Sequence, residues 1–94
     1  MDRVALFNAL ARQARPAHAD YVPIETLDIP FAETGLDSMD GLMMTIFLSD
    51  IYGISEEASK TMTFTTPAEL FAEVDRLKTK EPASLEAALE SVKW

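Results

Sequence analysis

Several residue types and patterns are missing from this chain of 94 residues, and each absence removes a class of structure. The chain has no cysteine, which excludes a disulfide framework and a thiolate metal site. No stretch approaches the roughly 20 consecutive apolar residues that a membrane-spanning helix needs. No apolar run follows the first residues, so we predict no secretory signal and expect a cytoplasmic protein that does not bind membranes.

Lysine and arginine are missing from the middle of the chain. All eight basic residues lie before Pro16 or after Ser59. The segment 16–59, called the acidic segment below, carries nine acidic residues: Asp20, Glu25, Asp28, Glu33, Asp37, Asp40, Asp50, Glu56 and Glu57. The net charge of −8 argues against nucleic-acid binding, because neutralising phosphates requires a basic face. Two interpretations stay open: a solvated surface, or a negative field that attracts basic partner enzymes and weakens with salt.

Histidine is nearly absent, which limits the chemistry that Ser38 could perform alone. A serine hydrolase needs a base and an orienting acid, but His18 is the only histidine and is interpreted as an exposed loop residue. A calcium loop would need an acid at position 36, which is occupied by Leu36. The sixteen acidic residues guarantee accidental neighbours, but a small bundle offers little concave pocket to shift their pKa values. We therefore predict a protein without enzymatic activity and without a metal site.

Apolar residues make up 48% of the chain, enough for one compact domain, and their spacing predicts an all-α fold. Asp2 is predicted to cap a first helix over residues 3–15, which Pro16 ends. The apolar stripe of this helix is Val4, Phe7, Leu10, Ala11 and Ala14. Residues 17–35 show no sustained period and are predicted to form a long connection that covers the bundle.

The second predicted helix starts at Asp37, with Ser38 at its first helical position, and runs to Tyr52; from Met39 onward it is apolar on most of its faces. Asp37 is the preferred N-cap, with Ser38 as the alternative, and Gly53 is expected to end the helix. Capping by Asp37 would leave the Ser38 hydroxyl pointing outward. A helix this apolar is either central in the bundle or partly exposed to a partner, and we favour a recognition surface on part of it.

The remaining chain predicts a short helix, a third main helix and a tail. Ser55 can cap about five residues that end near Lys60, and Thr66-Pro-Ala-Glu69 is a capping box. The helix after that box carries Leu70, Phe71, Val74 and Leu77 at helical spacing. Residues 81–94 form a separate tail that folds back as a fifth helix, frays, or docks a partner, in that order of preference.

The run Glu33-Thr-Gly-Leu-Asp-Ser-Met-Asp-Gly-Leu42 resembles the attachment site of acyl carrier proteins. That family carries a phosphopantetheine arm on the serine of a Gly-Leu/Ala-Asp-Ser-Leu/Met signature. The resemblance covers most of residues 2–78, in the order of three main helices and one short helix, in the long first loop and in the threonine-capped last helix. It implies that residues 1–80 form an acyl carrier domain.

The resemblance also implies a cofactor, partners and a role for individual residues. A phosphopantetheinyl transferase, using coenzyme A and magnesium, would join 4′-phosphopantetheine to Ser38, and Asp37 would belong to the motif that the transferase reads. The arm would hold acyl intermediates as thioesters for an acyl-loading enzyme and for ketosynthase-type or other acyl-processing enzymes. The residues implied to contact such partners are Met39, Asp40, Leu42 and Ile46.

Departures from the family pattern point to a pathway. Fatty-acid-synthesis carriers usually bear several glutamates along the second helix, whereas this chain has Phe47 and Ile51 in the later turns. We therefore favour polyketide or related specialised metabolism, with fatty-acid synthesis as the alternative. The peptidyl carriers more often show Gly-Gly-Asp/His-Ser at this point. A second class stays open: a small acidic interaction module without a prosthetic group. In either class we expect a monomer.

Overall fold

A computed structural model of the protein describes residues 2–14 and 23–92. The helices in chain order are α1 (Arg3–Ala14), α2 (Ser38–Tyr52), α3 (Glu56–Ser59), α4 (Pro67–Leu77) and α5 (Leu85–Ser91), with a 3₁₀ turn at Phe31–Glu33. The described residues contain no strand. The predicted all-α bundle of three main helices and a short one is therefore confirmed, and α5 is the additional C-terminal helix. The predictions for His18 and for the last residue of the first helix lie outside the described residues.

Local side-chain bonds start the helices where the sequence predicts. Asp2 Oδ1 accepts the N–H groups of Val4 and Ala5 at 3.0 and 3.2 Å. Ser55 Oγ accepts the Ala58 N–H at 3.1 Å and begins α3.

The capping box predicted at α4 differs in one half. Thr66 Oγ1 accepts the Glu69 N–H at 3.1 Å as expected. The Glu69 carboxylate, however, accepts from the N–H and the hydroxyl of Thr65, both at 2.6 Å. The return bond of the box therefore reaches one residue further back than the sequence pattern predicts.

Helix α2 lies at the centre of the bundle and contacts each of the other four helices. This position explains why its sequence is apolar on most faces. Its core-facing residues are Met44, Phe47, Leu48, Ile51 and Tyr52, all buried. They pack against buried residues of α1, α4 and α5, which are Leu6, Phe7, Leu10, Ala11, Leu70, Phe71, Val74 and Ala88.

The described part of the long connection is fastened to the bundle. The buried Asn8 amide donates to the Ile24 carbonyl at 3.0 Å and accepts from the Ile24 N–H at 2.9 Å. Further along, the Phe31 N–H donates to the Thr65 carbonyl at 2.7 Å. The prediction that this connection covers the bundle is thus confirmed for residues 23–35.

The C-terminal segment folds back onto α1 and α2, the first of the three predicted alternatives. Ala88 and Val92 are fully buried. The link before α5 is held by the Thr79 N–H, which donates to the Tyr52 carbonyl at 2.9 Å, and by the Thr79 hydroxyl, which donates to the Gly53 carbonyl at 2.6 Å. Gly53 has a φ of 64°, as expected for the residue that ends α2.

Candidate functional site around Ser38

Ser38 is the first residue of α2, and the turn before it is fixed by short-range contacts. Gly35 adopts a φ of 83°, which is favourable only for glycine and reverses the chain. The next residue, Leu36, is buried in the core. The Thr34 hydroxyl donates to the Phe31 carbonyl at 2.6 Å and accepts the Leu36 N–H at 3.3 Å. These contacts place the start of α2 at the surface, where Ser38 is exposed.

Asp37 caps α2, which confirms the preferred prediction over capping by Ser38. Asp37 Oδ1 accepts the Asp40 N–H at 2.9 Å, and Asp40 Oδ2 accepts the Asp37 N–H at 3.0 Å. The two carboxylates therefore close a reciprocal capping box. The Ser38 hydroxyl has no part in this box, so it remains available at the exposed end of the helix.

Asp40 is the one residue among the predicted partner contacts that the structure buries. It is only 6% exposed, and its carboxylate accepts a backbone N–H inside the capping box. A carboxylate used in this way positions the start of α2 and offers little surface to a partner. The prediction that Asp40 contacts partners does not fit this burial.

The other three predicted contacts form an exposed apolar stripe on α2. Met39, Leu42 and Ile46 are 64%, 54% and 38% exposed, the large apolar side chains that stand out in this way among the described residues. Their spacing of three and four residues puts them on one face of the helix. The structure brings Met39 and Leu42 into the first turns of α2 beside Ser38.

A shallow groove also begins at Ser38, and the sequence reasoning did not predict it. It has a volume of about 360 Å³ and is lined by Phe31, Ser38, Gly41, Leu42, Thr45 and Phe64. The Phe31 and Phe64 rings pack edge to face with their centroids 5.4 Å apart. The sequence feature that could have indicated this groove is Gly41. Glycine is unfavourable inside a helix, so its presence there calls for an explanation.

Most of the ion pairs in the described residues lie outside the acidic segment. The Arg3 guanidinium donates to both oxygens of Asp75 and lies over the rings of Tyr52 and Phe71, at 5.9 and 5.0 Å from their centroids. These hydrogen bonds, with a further one from Lys78, lower the pKa of Asp75 to about 2. Among described ion pairs, only that of Lys60 with Glu56, at 3.8 Å and highly exposed, involves the acidic segment.

Across residues 2–14 and 23–92, no three histidine, aspartate or glutamate side chains are grouped closely enough to hold a metal ion. Over the same residues, no helix has the length and apolar character needed to cross a bilayer.

Comparisons with protein-family models, with curated proteins and with solved structures found no match. Any inference about function therefore depends on the residues and geometry of this chain.

Proposed function

We propose that this protein is an acyl carrier that tethers acyl intermediates on a 4′-phosphopantetheine arm attached to Ser38. The observation that carries this proposal is the exposed Ser38 at the first position of α2, left out of the cap by the Asp37–Asp40 box. The residues present fit such a group. A hydroxyl stands at the surface, the positive end of a helix dipole lies beneath it, and an uncharged groove starts beside it.

The modification step transfers one phosphoryl-linked arm to the Ser38 hydroxyl. Ser38 Oγ forms a bond to the phosphorus that carries pantetheine in coenzyme A, and the pyrophosphate bond on the other side of that phosphorus breaks. The leaving group is 3′,5′-bisphosphoadenosine, and the hydroxyl proton passes to a base of the transferase. The neighbouring Asp37 carboxylate already accepts the Asp40 N–H, which favours a base supplied by the partner enzyme.

The chain's own residues position and present the attached group. The start of α2 stabilises a phosphodiester there by about 0.3–1 kcal/mol, while the carboxylates of Asp37 and Asp40 oppose it. When bound, the arm supplies a terminal thiol that holds an acyl group as a thioester. Met39, Leu42 and Ile46 offer an apolar contact surface beside Ser38 for the transferase, an acyl-loading enzyme and ketosynthase-type enzymes.

The exposed face of α2 also suggests a pathway. Phe47 and Ile51 are both buried, so their apolar character reflects core packing and does not report on partner choice. What favours polyketide or related specialised metabolism is the outward face of α2. It exposes three large apolar residues and, as its one exposed acid, Asp50. Fatty-acid synthesis remains the alternative, and the acyl group found on protein isolated from its source would distinguish the two.

The test is loading of the purified apo protein with coenzyme A, magnesium and a broad-range transferase, followed by intact mass spectrometry. Wild type should gain the mass of one arm and Ser38→Ala should gain none. Ser55→Ala is a matched control, because Ser55 is an exposed serine at the start of another helix whose hydroxyl oxygen is used as a cap. No gain in wild type, or a gain that persists in Ser38→Ala, would contradict the proposal.

A second candidate is an interaction module that docks a partner without a prosthetic group. The exposed stripe of Met39, Leu42 and Ile46 favours it, since three large apolar side chains on one helix face form a contact surface. In that case Ser38→Ala would bind the partner as well as wild type does, and loading would not alter binding.

A further inference from the structure

Gly41 is not required by the packing of the fold. A Cβ atom added at Gly41 would lie 3.5 Å from Phe31 Cε1 and Cζ, and 3.9 Å from Phe64 Cζ, which are ordinary van der Waals distances. Alanine would therefore fit, and it is the residue most favourable in a helix, whereas glycine is among the least favourable. Gly53 differs, because its φ is 64° and a Cβ there would clash with Thr79 Oγ1.

Because Gly41 has no side chain, it forms the floor of the groove beside Ser38. Ser38, Gly41, Leu42 and Thr45 follow the i, i+3, i+4, i+7 spacing of one helix face. The rings of Phe31 and Phe64 form its aromatic side. From Ser38 to Thr45 the groove follows α2 for about 10 Å, given a rise of 1.5 Å per residue.

The groove is uncharged, although most of the residues that line it belong to the acidic segment. None of its six lining residues is ionisable, and the Thr45 hydroxyl already donates to the Gly41 carbonyl at 3.1 Å. Such a surface favours a neutral, hydrocarbon-rich occupant over an anionic one. A group attached to Ser38 begins at the rim of the groove, so its effective concentration there is high.

We propose that Gly41 is a specificity-determining residue that keeps this groove open for the part of the arm nearest Ser38. The occupant is the branched hydrocarbon segment that follows the phosphate, so the resting arm lies along α2. This inference rests on the proposed function. Repulsion of the phosphodiester by Asp37 and Asp40 would by itself favour an arm that points away from the helix. Both carboxylates accept backbone N–H groups in the capping box, and Asp40, two residues after Ser38, does not share its helix face.

The experiment compares apo and loaded protein by NMR, with loading verified by mass spectrometry. In wild type, attachment should shift the ring resonances of Phe31 and Phe64 and give nuclear Overhauser contacts between these rings and the arm's methyl groups. In Gly41→Ala the mass gain should persist, the melting temperature should equal or exceed that of wild type, and the contacts should be lost. Ile46→Ala, an exposed apolar position on α2 outside the groove, should keep the wild-type contacts.

A second variant keeps the inference testable if Gly41→Ala is poorly folded. Thr45→Leu would fill the far end of the same groove and should also remove the contacts. No mass gain in wild type would overturn the proposed function and this inference with it. A mass gain without ring shifts or contacts would overturn the groove alone. Wild-type contacts that persist in both Gly41→Ala and Thr45→Leu would overturn the role of Gly41.

Discussion

At the start of α2, the Asp37 carboxylate accepts the Asp40 N–H, a backbone donor that the Ser38 hydroxyl could otherwise have capped. Under the proposed function, Asp37 would also belong to the motif that a phosphopantetheinyl transferase reads. A single side chain therefore combines a structural and a proposed recognition role, and the two roles need variants that separate them. Asparagine caps helices about as well as aspartate but carries no charge, whereas alanine removes both properties.

Asp37→Ala should lower the free energy of unfolding by about 1 kcal/mol, the usual cost of losing an N-cap. Asp37→Asn should lose much less, because its amide oxygen can still accept the Asp40 N–H. Urea denaturation of the two variants checks this difference. If the transferase reads the charge, Asp37→Asn should remain folded but load slowly. Wild-type loading by Asp37→Asn would restrict Asp37 to its capping role.

The Arg3–Asp75 pair makes a testable contribution to acid stability. Hydrogen bonds from Arg3, then Lys78, lower the pKa of Asp75 from 3.8 to about 2. Between those values the unfolded state binds the proton and the folded state does not, so stability falls as the pH drops from about 4 to about 2. Asp75→Asn should flatten this fall in denaturation experiments. The amplitude should be modest, because the Asp75 side chain is 44% exposed.

Arg3→Met serves as the partner variant, because it removes the largest cause of the lowered pKa of Asp75. It should flatten the same part of the pH profile, and the double variant should add little to either single one. Fully additive effects would show that the two side chains act independently.

At the scale of elements, α5 gains its stability from the core and not from its own length. Seven residues are too few for a stable isolated helix in water. The Ser84 hydroxyl caps it at the Ala87 N–H, at 3.0 Å, and its Ala88 and Val92 side chains are fully buried against the bundle. This segment thus contributes Ala88 and Val92 to the hydrophobic core, although the sequence composition sets residues 81–94 apart as a tail.

Ala88→Asp should lower the free energy of unfolding by at least about 2 kcal/mol, because it places an unpaired charge in the core. Ala87→Asp is the matched control, since Ala87 is the neighbouring residue of α5 and is exposed. It should change stability by no more than about 0.5 kcal/mol, the usual range for surface positions. Thermal and urea denaturation of both variants measure the difference. Equal, small losses in the two variants would show that α5 is not held on the core.

At the scale of the whole molecule, charge is distributed unevenly. The radius of gyration of 12.2 Å matches the roughly 12 Å expected for a compact domain of this length. Over such a small body, exposed acids on α2, α3 and the first connection lie within a few Debye lengths of Ser38. The described bases are concentrated on α1, α4 and the link to α5, where Arg3, Arg76 and Lys78 pair with acids.

Loading of Ser38 by a basic transferase should therefore slow as ionic strength rises, because salt screens the attraction that brings the two proteins together. Neutralising two exposed acids of the segment, with Asp50→Asn and Glu57→Gln, should flatten the dependence of the rate on salt. The control neutralises two exposed acids of α5, Glu86→Gln and Glu90→Gln, and should keep the wild-type slope. Rates that do not depend on salt would leave the acidic segment as a solubility surface.

Features that depend on near neighbours in the chain could be predicted from the amino-acid sequence. The caps of four helices are bonds that span two or three residues, so composition and spacing were enough to predict these caps. The capping residues are Asp2, Asp37, Ser55 and Thr66. The exposed position of Ser38 followed from the Asp37 cap. Even here, the local pattern had limits, since the Glu69 carboxylate accepts hydrogen bonds from Thr65, one residue before the predicted partner.

Which sides of these helices face the core, the solvent or each other depends on the tertiary structure. It buried Phe47 and Ile51, exposed Met39 and Leu42, and folded α5 onto the bundle. The groove at Ser38 exists because Phe31 and Phe64 meet over Gly41, and Arg3 pairs with Asp75 across a separation of 72 residues. Contacts between residues this far apart depend on how the whole chain packs, so no local periodicity encodes them.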